Sequence, residues 1–232
     1  MLECKVKRYF ARENVFVDDV KLTSIELSAE MFLNGKSFCK LFCSPENLDD
    51  LAFGVLAQAD KIHSADDVTD FKITGSLIEV ETKTACPPAQ IEPPAVVRFT
   101  AKDILACADK LLGELSATHD KTNGVHSGAL FDGEKLLLFR EDIGRHNVFD
   151  KIHGAAIQNG VNLTDKLLIF SGRCSSEMMI KASRMNVPAV FAKSVPTTCA
   201  VSLAKQFGIT LAGRLRADSF CIYANPQRIV LK

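Results

Sequence analysis

The chain has 232 residues, enough for one large domain or two smaller ones. Its 28 Lys and Arg residues balance its 28 Asp and Glu residues, which excludes the basic surface of a general binder of nucleic acid or anionic membranes. The hydrophobic content of 47% is typical of a globular protein, and the longest apolar stretches are far shorter than the roughly 18 to 20 residues that a membrane helix needs.

The first part of the chain combines short strands with one helix. We predict strands at 15–27, 38–42 and 71–82. Asn34-Gly35 is typical of a tight turn between strands. A helix should follow Ser44, a suitable N-cap, with Pro45 in the first helical position and apolar residues at helical spacing up to residue 56. This part therefore has an α+β composition.

A proline-rich segment separates the two parts of the chain. Four of the eight prolines stand at positions 87, 88, 93 and 94, so residues 85–94 form neither a regular helix nor a central strand. We predict a smaller N-terminal α+β domain at 1–98, which ends in a linker loop carrying Cys86, and a second domain at 99–232.

The second part alternates strands and helices. Thr100 and Asp103 form a capping pattern before a helix whose apolar stripe runs from 104 to 115. A hairpin follows, with strands at 127–131 and 135–139 joined by 132–134. We then predict helices near 147–158, 175–186 and 197–207 and strands at 166–170 and 188–192. The alternation predicts an α/β domain in which helices cover both faces of a parallel sheet.

Polar residues collect where these strands pass into helices, at 140–147, 171–177 and 193–198. The carboxyl ends of parallel strands form the edge at which open sheets bind ligands, so the three junctions should converge on one pocket. Free N–H groups at the helix starts, together with Arg145, Arg173 and Lys193, favour an anion such as phosphate. For any single junction, ordinary helix capping beside solvated arginines explains the pattern about as well.

Two histidines and one cysteine are further candidates. His126 follows the turn formers Asn123-Gly124 and could enter the same cleft, and His146 lies at a helix start beside Arg145. Cys86 would present an accessible thiol on the linker, although an incidental loop thiol explains it equally well.

The remaining cysteines suggest a reducing compartment. The eight cysteines include no CxxC pair, and the first residues form no apolar signal segment, so we expect free thiols in a cytoplasmic protein. We expect Cys107 and Cys221 in the core, and Cys174 either in the pocket or beneath it.

Several long motifs in consistent order resemble the FdhD/NarQ family, whose members are sulfur carrier proteins required for formate dehydrogenase activity. The motifs are SPENLDDLAFG at 44–54, TNGVHSGA at 122–129, REDIGRHN at 140–147, SGR at 171–173, SVPT at 194–197 and GITLAG at 208–213. The resemblance covers nearly the whole chain. It implies a cytidine-deaminase-like α/β/α domain at 99–232 beside the smaller N-terminal domain, in a homodimer.

The resemblance also implies a chemistry. Family members accept sulfur from a cysteine desulfurase as a persulfide and pass it to a molybdenum or tungsten bis(pterin guanine dinucleotide) cofactor that is later inserted into formate dehydrogenase. Cys86 matches the persulfide-carrying cysteine, and a guanine nucleotide should act as a mimic of the cofactor. The candidate cofactor-binding residues are Thr122, Gly124, His126, Arg145, His146, Asn147, Ser171, Gly172, Arg173, Ser194 and Thr197, to which the family match adds Arg214, Leu215, Arg216, Ala217, Asp218 and Ser219.

The chain departs from the family pattern at the linker. The usual CxxC is replaced by Cys86-Pro87-Pro88-Ala89, so a second cysteine is absent there. A lone thiolate can still accept and pass on sulfane sulfur. The alternative is a non-catalytic module that binds or delivers the cofactor without moving sulfur. A zinc deaminase is disfavoured, because His126-Ser127-Gly128 lacks the catalytic Glu and Cys199 offers one thiol where two ligands are needed.

Overall fold

The computed structural model describes residues 1–83, 96–114 and 117–231. The predicted linker loop and Cys86 lie outside these residues, and the domain division drawn through the linker stays a prediction. In the first part, β1 (Leu2–Phe10) and β2 (Val15–Thr23) form an antiparallel hairpin. A separate four-stranded sheet has the order β4-β3-β6-β5 and consists of β3 (Leu27–Leu33), β4 (Lys36–Cys43), β5 (Val68–Thr74) and β6 (Leu77–Thr82).

The strand predictions for this part were correct in location but wrong in extent. The run 15–27 ends its pairing at Thr23, and 71–82 is two antiparallel strands rather than one. The strand β1 was not predicted, because both faces of the hairpin are largely exposed and its sequence therefore has no apolar core face. The tight turn at Asn34-Gly35 is confirmed, with φ values of 50° and 70°.

The first helix, α1 (Leu48–Gln58), begins four residues later than Ser44. Its N-cap is Asn47, so the assignment of Ser44 as the N-cap is wrong. Ser44 is buried, and its backbone N–H donates to Asp142 Oδ2 at 3.0 Å. A contact between residues 98 positions apart leaves no local pattern in the sequence.

A six-stranded mixed sheet forms the centre of the second part. Its strands are β8 (His126–Asp132), β9 (Lys135–Asp142), β10 (Leu167–Phe170), β11 (Ala189–Ala192), β12 (Thr210–Gly213) and β13 (Cys221–Ala224), in the order β13-β12-β11-β10-β8-β9. The prediction of a parallel sheet is correct for β10, β11 and β12 and wrong for the flanks, because β8 and β13 pair antiparallel with their neighbours. Since β8 is antiparallel to both β9 and β10, β9 runs in the same direction as the parallel strands.

Helices cover both faces of this sheet, as predicted. They are α2 (Ala101–Asp109), which continues as a π-helix over Lys110–Glu114, α4 (Arg145–Gln158), α5 (Ser176–Arg184) and α6 (Thr198–Phe207); a further short helix, α3 (Ala117–Thr122), precedes β8. Residues of α4, α5 and α6 form one core with the sheet, and residues of α2 form a second core on the opposite face. The predicted cap of α2 is confirmed, since Asp103 N–H donates to Thr100 Oγ1 at 3.0 Å.

The first part of the chain is fixed to the second through α1 and α4. A Cβ atom added at Gly54 would lie 1.8 Å from Asp150 O, and one at Gly154 would lie 1.9 Å from Asp50 O. The two helices therefore touch backbone to backbone. Two short strands, β7 (Phe99–Thr100) and β14 (Ile229–Val230), pair in parallel near the chain end. Within the described ranges, no helix is long and apolar enough to cross a membrane.

Candidate functional site

The predicted junctions meet at one edge of the central sheet. β9, β10, β11 and β12 all end at this edge, and β8 begins there, because it runs in the opposite direction. Backbone bonds join adjacent junctions: Lys193 N–H donates to Phe170 O at 3.0 Å, and Arg214 N–H donates to Ser194 O at 3.2 Å. The structure thus places residues from five segments along one continuous rim.

The start of α4 offers hydrogen-bond donors on this rim. Its N-cap is Gly144, which has no side chain to cap the helix, so the first-turn N–H groups remain available as donors. Arg145 Nε is buried and has no hydrogen-bond partner among the described residues. Because an unpaired buried donor is costly, this nitrogen indicates that an acceptor belongs here.

Gly172 brings the neighbouring side chains together. A Cβ atom added at Gly172 would lie 3.4 Å from Arg145 Cβ and 3.4 Å from His126 Nδ1. Any larger residue would crowd both groups. The sequence prediction grouped Gly172, Arg145 and His126 at the same site. The structure places Gly172 beside both Arg145 and His126.

The two histidines of the rim share Arg145 as a neighbouring charge, and Glu177 acts on His146 in addition. Burial lowers the pKa of His126, and the positive charge of Arg145 lowers it further. Burial also lowers the pKa of His146, with Arg145 as the second cause, while Glu177 opposes the shift from 3.1 Å. Both imidazoles are therefore neutral near pH 7 and can offer one donor and one acceptor.

Three of the predicted hydroxyl groups already form hydrogen bonds with other groups of the protein. Thr122 Oγ1 donates to Thr118 O at 2.7 Å and accepts from Gly124 N–H at 3.0 Å. Ser171 Oγ accepts from Ser127 N–H at 2.9 Å, and Thr197 Oγ1 caps α6 by accepting from Ala200 N–H at 3.2 Å. The capping explanation accounts for Thr197, whereas Ser171 holds the start of β8 and Thr122 closes the turn that ends α3.

The segment 214–219 forms a second basic surface beside the rim. A cavity of about 260 Å³ is lined by Arg214, Arg216, Ser219, Phe220 and Cys221. Arg216 Nη1 donates to Lys193 O at 3.0 Å, which ties this surface to the third junction.

The other candidates near this surface differ in exposure. Leu215 packs in the core with only 1% of its surface exposed, so its backbone alone could face a ligand. Ala217 and Asp218 are exposed, as is Arg173 at the second junction. These three side chains are therefore accessible to a ligand.

Sequence reasoning missed a buried ion pair behind the start of α4. Lys151 Nζ lies 2.7 Å from Asp142 Oδ2, and both side chains are fully buried. Asn147 Nδ2 donates to Asp142 Oδ1 at 2.8 Å and to Phe42 O at 2.8 Å. Asn147, predicted to bind the cofactor, thus has its amide nitrogen committed to the protein. No local pattern in the sequence marks this pair, because Lys151 stands among other polar residues of α4, Asp150 and His153.

The cysteines divide by burial. Cys174 is fully buried beneath the rim, and burial raises its pKa to about 12. Burial also raises the pKa of Cys107 to about 12, and its predicted place in the core is confirmed. The same prediction for Cys221 is wrong, because this residue starts the edge strand β13 and is exposed. Cys199 is exposed as well, whereas Cys86 lies outside the described residues.

No group of three or more His, Cys, Asp or Glu side chains in the described part of the chain is arranged to hold a metal ion. The rim instead offers backbone N–H groups, guanidinium groups and neutral imidazoles. These are donors suited to phosphate and other oxyanions.

Comparisons with known proteins agree on one family. The FdhD/NarQ family profile matches residues 87–230. The chain is 34% identical to the sulfur carrier protein FdhD of Bacillus subtilis (strain 168) over 97% of this chain and 95% of that protein. It is 32% identical to the protein of the same name from Geobacillus kaustophilus (strain HTA426), over 95% and 94% of the two chains. The crystal structure of a formate dehydrogenase accessory protein from Desulfotalea psychrophila matches with a TM-score of 0.87 and 22% identity, covering 99% of this chain and all of that one.

Proposed function

The chain belongs to the FdhD/NarQ family, and we propose that it is a sulfur carrier protein required for formate dehydrogenase activity. The observation that carries this proposal is the match, over nearly the full length of both chains, to relatives named sulfur carrier protein FdhD. Partners of the proposed function are a cysteine desulfurase and formate dehydrogenase, and the proposed setting is a cytoplasmic homodimer. The mixed sheet with helices on both faces fits the cytidine-deaminase-like architecture expected for residues 99–232.

The proposed cargo is a molybdenum or tungsten bis(pterin guanine dinucleotide) cofactor, bound transiently along the rim. Its phosphates require donors, and the uncapped start of α4 with the unpaired Arg145 Nε supplies them. Arg214 and Arg216 offer further cationic groups in the cavity of about 260 Å³. His126, neutral near pH 7, can donate a hydrogen bond without adding charge, whereas neutral His146 has its Nε2 3.1 Å from Glu177 Oε2 and directs its one N–H to that carboxylate.

In the proposed transfer, the Cys86 thiolate attacks the terminal sulfur of a persulfide on the desulfurase. A new S–S bond forms on Cys86 while the S–S bond of the desulfurase breaks, and the desulfurase cysteine leaves as a thiolate. No external oxidant is needed, because the sulfane sulfur keeps its oxidation state. The buried thiols Cys107 and Cys174 are poor alternatives, since burial raises the pKa of each.

Intact-mass spectrometry tests the sulfur step. The wild type and the Cys86→Ala variant are incubated with a cysteine desulfurase and free cysteine, without reductant. We expect the wild type to gain one sulfur atom and Cys86→Ala to gain none. Cys199→Ala and Cys221→Ala are matched controls, because both thiols are exposed, and each variant should still gain the sulfur. A gain that persists in Cys86→Ala and disappears in Cys221→Ala would overturn the role of Cys86.

A cofactor-delivery module without sulfur transfer is the second candidate. It is favoured by the sequence Cys86-Pro87-Pro88-Ala89, which lacks a second cysteine. This candidate predicts that guanosine diphosphate binds, that no cysteine gains sulfur from an active desulfurase, and that Cys86→Ala still supports maturation of formate dehydrogenase. The sulfur carrier predicts the reverse for the last two measurements.

A further inference from the structure

The buried ion pair behind α4 leaves no hydrogen-bonding capacity for a ligand. Asp142 Oδ2 accepts from Lys151 Nζ and from Ser44 N–H, while Oδ1 accepts from Gly144 N–H and from the Asn147 side chain. Lys151 Nζ also donates to Ser44 O at 3.3 Å and to Glu141 O at 3.2 Å. With three acceptors for its three protons, Lys151 is fully satisfied. The pair can therefore influence the rim only through the residues that it holds.

Those residues bracket the first turn of α4. Gly144 is the N-cap, and Asn147 is the third residue of the helix, so Asp142 Oδ1 holds the turn from both sides of Arg145 and His146. This carboxylate oxygen therefore helps to set the direction of the first-turn N–H groups and the course of the backbone that carries Arg145. A shift of the turn would move the donors offered to an anion.

The end of β4, about 100 residues earlier in the sequence, also holds the first turn of α4. Ser44 Oγ accepts from Ile143 N–H at 3.1 Å, and Phe42 O accepts from the Asn147 side chain at 2.8 Å. Residues 42–44 of the first part of the chain thus contact the β9–α4 junction on both sides of Gly144. The four-stranded sheet and the start of α4 are joined into one unit at this point.

We propose that Asp142 is a positioning residue for the anion site, and that Lys151 and the end of β4 hold it so that the first part of the chain sets the affinity at the start of α4. The proposal rests on the proposed function only in its choice of ligand. A buried ion pair provides little net stability compared with apolar residues of the same volume, so fixed geometry is the property that it adds here.

A second buried pair provides a matched comparison. Arg140 Nε lies 2.5 Å from Asp50 Oδ2, and Gln158 Nε2 donates to Asp50 Oδ1 at 2.8 Å. This pair also joins the first part of the chain to β9 and α4. Its hydrogen bonds reach Arg140 and the last residue of α4, and none reaches the first turn. Asp142→Asn and Asp50→Asn therefore each remove one carboxylate charge. We expect only Asp142→Asn to affect the rim.

The test measures two properties of the wild type and both variants: the affinity for guanosine diphosphate by calorimetry, and hydrogen exchange of the amides at 143–148 by mass spectrometry. We expect Asp142→Asn to weaken binding by about tenfold or more and to speed exchange at these amides. Asp50→Asn should stay within about twofold of the wild type in affinity and unchanged in exchange, whatever its stability. Equal losses of affinity in both variants, or unchanged exchange in Asp142→Asn, would overturn the proposal.

Two further arms keep the test decisive. If Asp142→Asn does not fold, Ser44→Ala removes the bond to Ile143 N–H while leaving the ion pair, and it should produce a smaller change in the same direction. If the wild type does not bind guanosine diphosphate, the proposed cargo is wrong, and the exchange comparison between Asp142→Asn and Asp50→Asn still decides whether Asp142 positions the turn.

Discussion

The first turn of α4 and the middle of the same helix differ in packing and in hydrogen bonding. In the middle, Gly154 approaches the backbone of α1 so closely that an added Cβ atom would lie 1.9 Å from Asp50 O. In the first turn, the N-cap Gly144 has no side-chain bond, and Arg145 Nε is buried without a partner among the described residues. The middle thus packs backbone against backbone, while the start keeps a donor unfilled. One helix provides both the anchor that fixes two parts of the chain and the end at which we propose that an anion binds.

The largest expected effect breaks the anchored region. In Gly154→Ala the new methyl group would overlap Asp50 O, so α1 and α4 must separate, and we expect a loss of about 3 kcal/mol in the free energy of unfolding. Urea denaturation measures it. Gly113→Ala is the matched control, because its Cβ would meet no atom of the described residues closer than 3.9 Å. A Gly154→Ala protein as stable as the control would contradict the helix contact.

A pH series sharpens the contrast by probing the buried middle. Burial, and secondly Lys181, lower the pKa of His153 from 6.5 to about 4. Below pH 6.5 the unfolded chain takes up the proton before the folded chain does, so stability is lost as the pH falls from 6.5 towards 4. At pH 5 the loss should be about 2 kcal/mol.

The measurement is urea denaturation at pH 7 and pH 5. His153→Gln should remove this part of the pH dependence, whereas His63→Gln, at an exposed histidine, should retain it. An unchanged pH dependence in His153→Gln would show that His153 is not the group responsible.

The third prediction concerns the unfilled start of α4. Arg145→Ala removes a donor whose Nε has no partner in the described part of the chain, so binding of guanosine diphosphate should weaken by about tenfold or more, while the thermal midpoint should not fall. Arg184→Ala is the control for net charge. Arg184 is the last residue of α5 and pairs with Asp60. If Arg145→Ala lost stability but kept its affinity, Arg145 would be a structural residue.

The smallest effect concerns a helix start that is already satisfied. Thr100 caps α2, so Thr100→Ala should cost about 1 kcal/mol in unfolding free energy and leave the affinity for guanosine diphosphate unchanged. Thermal denaturation and calorimetry on one preparation test both statements. Thr100→Ser, which keeps the hydroxyl group, should restore most of the stability.

Local patterns were enough to predict a large part of this molecule. The strands and helices between 166 and 207, the cap at Thr100 and the turn at Asn34-Gly35 all lie within a few residues of their predicted positions. Each depends on neighbouring residues alone: apolar periodicity, a hydroxyl group before a helix, or a residue that tolerates positive φ. The common edge of the three junctions was also predicted, since it follows from strands that run in one direction.

Contacts between distant residues could not be predicted from such patterns. β8 lies between β9 and β10, which makes the sheet mixed; the sequence predicted that His126 could enter the same cleft as Arg145, but not that an antiparallel strand would carry it there.

The side chains of the site show the same division. The amino-acid sequence by itself determined which residues could bind an anion, because charge and hydrogen-bonding capacity belong to each residue. The tertiary structure decided which of them remain available, because the bonds of Asn147, Ser171 and Asp142 to other segments exist only once those segments pack together.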